Sequence, residues 1–264
     1  MPEPSSAPAA RAGGVQSLER AFGILEAMAD AGGMISLSQL AEQLSLPPAT
    51  IHRLIRSLVD LGYVRQEANR QYSLGPKLLR LSAESARRIG VWAGPYLSRA
   101  VEQLGESVNV AVLEDDHVVY VAQVQPSTTL MRMFTEVGRR VPPHGTAVGK
   151  VMLSQLPEDE VRALLSRTGM PRLTEHTLTT PGELLENLAL ARVRGYATDE
   201  EEQEIGVRCV AVPVTGAPRK MALSMSGPSA RMDDEAVEQG VSVLRETARQ
   251  IAEVLGADRS LLLG

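Results

Sequence analysis

Ser36-Leu-Ser-Gln-Leu-Ala-Glu-Gln-Leu-Ser-Leu-Pro-Pro-Ala-Thr-Ile-His-Arg-Leu-Ile-Arg-Ser-Leu-Val-Asp-Leu61 reads as a helix, a tight turn and a second helix. Ser36 is placed to cap the first helix, and Gln39 three residues on completes a capping-box spacing ahead of Leu40, Ala41 and Leu44. Pro47 and Pro48 suit only a first turn, where a backbone N–H has no partner anyway, so the second helix starts near Pro48. Within it Ile51, Leu54, Ile55, Leu58 and Leu61 recur at steps of three and four and form the face to be buried. The opposite face carries Pro48, Ala49, Thr50, His52, Arg53, Arg56 and Ser57, with no carboxylate before Asp60. Guanidinium groups can bond guanine edges in pairs or hold phosphate, and a small residue near the helix start permits close approach to bases.

A solvated basic face would look the same in isolation. The next thirteen residues favour DNA. Gly62-Tyr-Val-Arg-Gln-Glu-Ala-Asn-Arg-Gln-Tyr-Ser-Leu74 predicts two short strands, Tyr63 to Gln66 and Arg70 to Leu74, around a polar turn at Glu67-Ala68-Asn69. Arg65 and Arg70 flank the tip of this wing. A recognition helix with such a hairpin directly after it is a winged helix-turn-helix, whose wing meets the DNA backbone or minor groove.

The chain has 264 residues, which suggests two domains, and 44% hydrophobic residues, enough for packed cores. No apolar run approaches the ~20 residues of a bilayer span and no export signal is apparent, so a cytoplasmic protein without a membrane partner is expected. Cys209 is the only cysteine, which excludes an intrachain disulfide and a multi-thiolate zinc cluster. Four scattered histidines form no metal motif, and no cofactor is expected. Three lysines against many arginines hint at a GC-rich bacterial genome. The net charge of −5 conceals an asymmetry: Arg11 to Arg80 holds eight basic and six acidic residues, a net of +2, and the acidic excess lies further on. Only the N-terminal region is fitted to phosphate.

Residues 1–14, rich in Pro, Ala, Ser and Gly, predict a disordered arm. Residues 15–75 form the winged helix-turn-helix, beginning with a helix capped by Ser17 and running to about Asp30. Residues 76–90 predict a linker helix, and residues 91–264 a second domain. There a helix from Gly94 to Leu104 precedes a hairpin, Val108 to Val112 and His117 to Val124, with its turn at Glu114-Asp115-Asp116. Met131 to Thr135 predicts a third strand, and Val141 to Lys150 passes from loop into helix. Helices come after Pro157 and Thr180, the latter with a capping box and Pro181 at its first position. Strands near Tyr196–Thr198, Val207–Val214 and Lys220–Ser226 precede a long helix from about Asp233 to Leu255. The second domain is therefore an α+β sheet with helices packed on it.

Eight ordered stretches resemble the IclR family of transcriptional regulators: Val15-Gln-Ser-Leu-Glu-Arg-Ala21, Leu46-Pro-Pro-Ala-Thr-Ile-His-Arg-Leu54, Gly62-Tyr-Val64, Tyr72-Ser-Leu-Gly75, Gly149-Lys150, Gly195-Tyr-Ala-Thr-Asp-Glu-Glu201, Gly206-Val-Arg-Cys-Val-Ala211 and Ser226-Gly-Pro-Ser229. The resemblance spans nearly the whole chain. It implies an α+β protein in which a winged helix-turn-helix is joined by a linker helix to a GAF-like effector-binding domain. It further implies a dimer or dimer of dimers, double-stranded operator DNA as partner, and a small organic effector, often a carboxylate.

Gly145-Thr146-Ala147 lies at a predicted helix start, where free N–H groups favour negative charge and Thr146 adds a hydroxyl. Ser224 and Ser226 share one strand face, beside the strand of Cys209. By similarity Asp199, Cys209, Ser224 and Ser226 resemble the family's effector contacts, and Leu130-Met-Arg-Met-Phe134, with Met133, would supply an apolar wall. Each residue also has a plain structural reading: Cys209 as core filling, the serines as bonding backbone, His144 as a structural hydrogen bonder, and Asp199 to Glu204 as a solvated loop. Two other functions fit the residues: an enzyme using Cys209 with His144 or His176 as base, and a protein-interaction module that uses its second domain to oligomerise.

Overall fold

The computed structural model describes residues 15–89, 91–127, 136–217 and 219–257. Met131 to Thr135, Met133 among them, and the arm 1–14 lie outside the described residues. The chain divides into two compact units that part between Glu84 and Ser85, within the helix Lys77–Ile89.

The first unit contains α1 (Gln16–Asp30), β1 (Met34–Ile35), α2 (Leu37–Gln43), α3 (Pro48–Asp60), β2 (Val64–Gln66), β3 (Tyr72–Leu74) and the start of α4 (Lys77–Ile89). Ile24 and Met28 of α1, Leu40 of α2, Ile51 and Ile55 of α3 and Val64 of the wing form one fully buried core. Ser36 caps α2 with a complete capping box: its hydroxyl accepts the Gln39 N–H, and the Gln39 side chain accepts the Ser36 N–H. The turn into α3 is a Schellman closure, with Leu46 N–H bonded to Ala41 O and Ser45 N–H to Glu42 O. Ser45 takes the left-handed backbone that this closure requires (φ 50°).

Three expectations for this unit are corrected. Ser17 does not cap α1; the helix already begins at Gln16, so Ser17 falls inside its first turn and the capping position is Val15, without a side-chain bond. Arg70 belongs to the wing turn rather than to a strand, because its backbone is left-handed (φ 63°) and its N–H closes on Glu67 O. The wing also gains a strand beyond the two expected: β1 pairs with β3, giving the order β1-β3-β2.

The second unit runs α5 (Gly94–Leu104), β4 (Ser107–Glu114), β5 (His117–Val124), β6 (Arg140–Val141), α6 (Ala147–Leu153), α7 (Glu158–Thr168), α8 (Pro181–Arg194), β7 (Ala197–Glu200), β8 (Val207–Pro213), β9 (Met221–Pro228) and α9 (Asp234–Ala257). Its antiparallel sheet has the order β6-β5-β4-β9-β8-β7. One face presents Val108, Val110, Val112, Val210, Val212, Leu223 and Met225 to α5 and α9. Trp92, in the short turn of helix just before α5, packs against this same core. The other face presents Ala111, Tyr120, Ala211 and Ala222 to Ala147, Val148, Val151 and Met152 of α6 and Ala191 of α8. Thr180 caps α8 through the Glu183 N–H, but the Glu183 carboxylate answers the Thr180 hydroxyl rather than its backbone N–H, so the capping box is incomplete. The two residues of β6 form a strand where the sequence reads as loop.

A close approach holds α6 in place. A Cβ on Gly149 would stand 2.1 Å from Pro143 O, so only glycine lets this helix seat on the turn that leads into it. We expect Gly149→Ala to cost about 1–3 kcal/mol, the range for overpacking a tight site, read as a lower midpoint in urea unfolding of the full chain. An unchanged midpoint would mean that α6 does not sit on Pro143 as described.

Candidate functional site

In the first unit, Ile51, Ile55 and Leu58 turn α3 inward and leave Pro48, Ala49, His52, Arg53, Arg56 and Ser57 exposed, with Thr50 half-buried. The Ser57 hydroxyl donates to Arg53 O one turn back, at 3.2 Å. Arg65 and Arg70 are exposed on the wing. Among the described residues, the side chains of Arg53, Arg56, Arg65 and Arg70 make no ion pair or hydrogen bond, so four guanidinium groups face outward without an internal carboxylate. The wing turn itself is held by Asn69, whose side chain donates to Gln71 Oε1 at 2.7 Å and accepts the Gln71 N–H at 3.0 Å. Gly75 ends the wing against backbone: a Cβ there would lie 2.4 Å from Gly62 O.

In the second unit, the sheet face beneath α6 carries polar residues in two neighbouring rows. One runs Ser107, Ser226, Cys209, Asp199 across β4, β9, β8 and β7; the next runs Gln123, Asn109, Ser224, Ala211, Ala197 from β5 to β7. Ser107, Asn109, Asp199, Ser224 and Ser226 are all buried. Ala147, at the start of α6, joins the same packed cluster as Ala211, Ala222 and Cys209, so Ala147 and the effector candidates Asp199, Cys209, Ser224 and Ser226 share this face.

Thr146 is buried, and its hydroxyl oxygen accepts the Gly149 N–H at 3.0 Å, so it serves as the cap of α6. Gly145 lies in the preceding 3-10 turn, where a Cβ would press within 3.2 Å of Leu173. The run Asp199 to Glu204 is not a solvated loop. Asp199 stands on β7, Glu202 is buried, and Asp199 Oδ1 accepts the N–H groups of Glu202 (2.7 Å) and Gln203 (3.3 Å). Glu202 in turn holds the ammonium of Lys150, which is wholly buried on α6. The pair neutralises itself inside the fold, as a buried charge must.

Four features of this site escape a reading by side-chain type alone: Asn109, Gln123, Tyr120 and the Lys150–Glu202 pair. Asn109 was legible only as one member of the alternation Val108-Asn-Val-Ala-Val112, where the off-beat residue of a buried strand is polar.

Burial sets the electrostatics. Asp199 is pushed up to about 7, chiefly by desolvation and secondarily by the Glu202 carboxylate, against the N–H bonds that favour its anion. Desolvation also raises the Cys209 thiol, with Asp199 adding to it and a bond from Ser226 opposing it. The Tyr120 hydroxyl is raised for the same first reason. His144 is lowered by burial, and its Nε2 bonds Pro171 O at 3.0 Å, the structural role read from the sequence. A raised thiol is the opposite of the thiolate that a cysteine nucleophile needs. Among the described residues no cluster of His, Cys, Asp and Glu could hold a metal, and no helix is long and apolar enough to cross a membrane.

Comparison with known proteins completes this picture. Residues 17–68 match the IclR helix-turn-helix domain, and residues 83–253 match the family described as bacterial transcriptional regulator IclR C-terminal. The chain belongs to the IclR family. Among its IclR-family relatives is the acetate operon repressor of Salmonella typhimurium, 36% identical over 97% of this chain and 96% of that one. An IclR transcriptional regulator from Alicyclobacillus acidocaldarius superposes with a TM-score of 0.79 at 28% identity, covering 91% of this chain and 98% of that one. An IclR homologue from Microbacterium hydrocarbonoxydans, complexed with 4-hydroxybenzoate, superposes with a TM-score of 0.74 at 26% identity, covering 92% of this chain and 100% of that one. As an IclR-family protein the chain is a DNA-binding transcriptional regulator and not an enzyme.

Asp199 gives the family fold a testable pH dependence. Because its folded value is raised from 3.8 to about 7, folding takes up a proton between those limits. The stabilisation present below the unfolded value is lost as pH rises towards 7, with a slope of at most about 1.4 kcal/mol per pH unit. Asn at this position keeps an Oδ1 for both N–H bonds and cannot ionise. We expect Asp199→Asn to gain stability relative to wild type as pH rises from about 4 to 7 and to hold a constant advantage above it, measured by urea unfolding across that range. A difference independent of pH would contradict the buried carboxylate.

Proposed function

We propose that this IclR-family regulator binds an approximately palindromic operator as a dimer or dimer of dimers and represses a neighbouring catabolic or amino-acid operon. We further propose that a small organic acid bound in the second unit alters its DNA affinity. The observation that carries the reading is the polar face under α6, where Asp199, Cys209, Ser224 and Ser226 occupy neighbouring rows of the sheet. The two serine oxygens already accept from Asn109, and each hydroxyl keeps a hydrogen that a polar occupant can take. The small acid held by the Microbacterium homologue supports the chemical class.

On this reading Arg53 and Arg56 reach base edges or phosphates in the major groove from α3, with Ala49, Thr50, His52 and Ser57 beside them, while Arg65 and Arg70 meet the backbone from the wing. Pairing of two chains through the N-terminal unit suits the exposed apolar residues Leu18 and Phe22 on α1 and Val15 at its cap, since an apolar stripe on a helix is the usual material of a helix–helix contact. An acid that prefers one arrangement of the second unit shifts operator affinity by its difference in affinity for the two arrangements, carried through α4. A bacterial cytoplasmic location accords with these bacterial relatives.

Two measurements test the function. Arg53→Ala and Arg56→Ala should each weaken specific operator binding by about 1–3 kcal/mol and lower the slope of binding against salt by about one contact wherever the lost group held a phosphate, with the circular dichroism spectrum unchanged. Retained affinity would remove α3 as the reading helix and favour a protein-interaction module. For the second unit, thermal melting against pyruvate, amino acids and 4-hydroxybenzoate should show a rise for at least one acid, since a ligand of the folded state alone raises its melting temperature. Cys209→Ala, Ser224→Ala and Ser226→Ala should each diminish that rise. A rise untouched by all three would place the acid elsewhere.

A further inference from the structure

The hydrogen bonds of the polar face have a centre that is none of the effector candidates. Asn109 is wholly buried on β4, directly opposite Ser224 of β9 on one side and Gln123 of β5 on the other. Its Nδ2 donates to Ser224 Oγ and to Ser226 Oγ, each at 3.3 Å. Its Oδ1 accepts from Gln123 Nε2 at 2.9 Å. Both amide hydrogens and the amide oxygen are thus engaged, with the nitrogen end facing the serines and the oxygen end facing Gln123.

We infer that Asn109 is the positioning residue of the acid site, setting Ser224 and Ser226 as a matched pair of hydroxyl donors; the inference rests on the acid-binding role proposed above. A serine hydroxyl has one hydrogen to give and can accept at its oxygen. With each oxygen already accepting from Asn109, each hydrogen turns away from the amide. Because both oxygens lie 3.3 Å from one nitrogen, they stand no more than twice that distance apart. Two O–H donors on one strand face suit a ligand group made only of acceptors, and an ionised carboxylate is that group. For Ser226 the competing acceptor is the Cys209 sulfur, a weaker one than a carboxylate oxygen.

This arrangement needs no unpaired cation. Lys150, the buried ammonium nearby, is already matched by Glu202. Selectivity for the acid over its own amide then comes from the direction of two hydroxyl dipoles, because an amide offers hydrogens where the site also presents hydrogens.

A double-mutant cycle tests the inference on the full-length chain. Calorimetric titration with pyruvate, 2-oxobutyrate and 4-hydroxybenzoate, each beside its amide, is carried out on wild type, Asn109→Leu, the pair Ser224→Ala with Ser226→Ala, and the triple variant. We expect wild type to bind an acid in preference to its amide, and Asn109→Leu to lose about tenfold in affinity for the acid with the preference largely erased, consistent with about 1–3 kcal/mol for a disrupted buried bond. In the serine-less background the same substitution should change affinity by less than about twofold, since there is nothing left to orient. Gln123→Leu, which spares Asn109 but frees its amide to flip, should reproduce the loss in part and keeps the test open if Asn109→Leu folds poorly. An unaltered preference in Asn109→Leu overturns the inference, as does a full loss that persists without the serines. Failure of the underlying acid site is distinct: wild type that binds none of the three acids, or a serine pair variant that binds them as wild type does, removes the site and not merely its organiser.

Discussion

Everything in the second unit depends on the two-residue period of its central strands. Along β4, β8 and β9 each step turns a side chain to the opposite face. Valine, leucine and methionine therefore gather against α5 and α9, and serine, asparagine, cysteine and alanine gather under α6. The first face supplies hydrophobic stabilisation. The second could not fold alone at so little cost, because its polar groups must bond one another, and they do so through Asn109. One step beyond Asn109 the register passes from Val110 opposite Ala122 to Ala111 opposite Tyr120, so β5 carries an extra residue, Val121, and both Gln123 and Tyr120 fall on the α6 side.

The first unit solves a different problem with the same economy of parts. A helix of thirteen residues, α3, has to be fixed firmly while keeping an exposed face for DNA. Ile51, Ile55 and Leu58 anchor it, the Schellman closure at Ser45 sets its approach from α2, and Gly75 seats the end of the wing on the turn just after α3. Among the described residues Arg53, Arg56, Arg65 and Arg70 have no internal partner, so their charge is available to a polyanion.

Much of this was legible in the sequence because local chemistry leaves local marks. Ser36 with Gln39, Pro48 and Pro181 at helix starts, and the valine alternation of β4 each specify structure within a few residues, and the helix-turn-helix emerges from them. Legibility falls where structure depends on partners distant in the chain. Arg70 looks like a strand residue until the hairpin closure forces its backbone left-handed. The capping of α6 by Thr146, through the Gly149 N–H, shows only once the helix is formed. Asp199 to Glu204 has the composition of a solvated loop, but Lys150, 52 residues away, draws Glu202 inside. Asn109 shows in the sequence only as the polar off-beat of a valine alternation, and its role emerges when β9, with Ser224 115 residues later, lies beside it.

Trp92 is the single tryptophan of the chain, and it packs on the α5–α9 core directly after the helix that leaves the DNA-binding unit. The molecule therefore contains a natural fluorophore at one defined place, with only five tyrosines as background. Indole emission responds to the polarity and mobility of its immediate surroundings, so its colour and intensity form a signal from this junction alone. Events in either unit become optically readable wherever they disturb the first turn of the second, without any label being introduced.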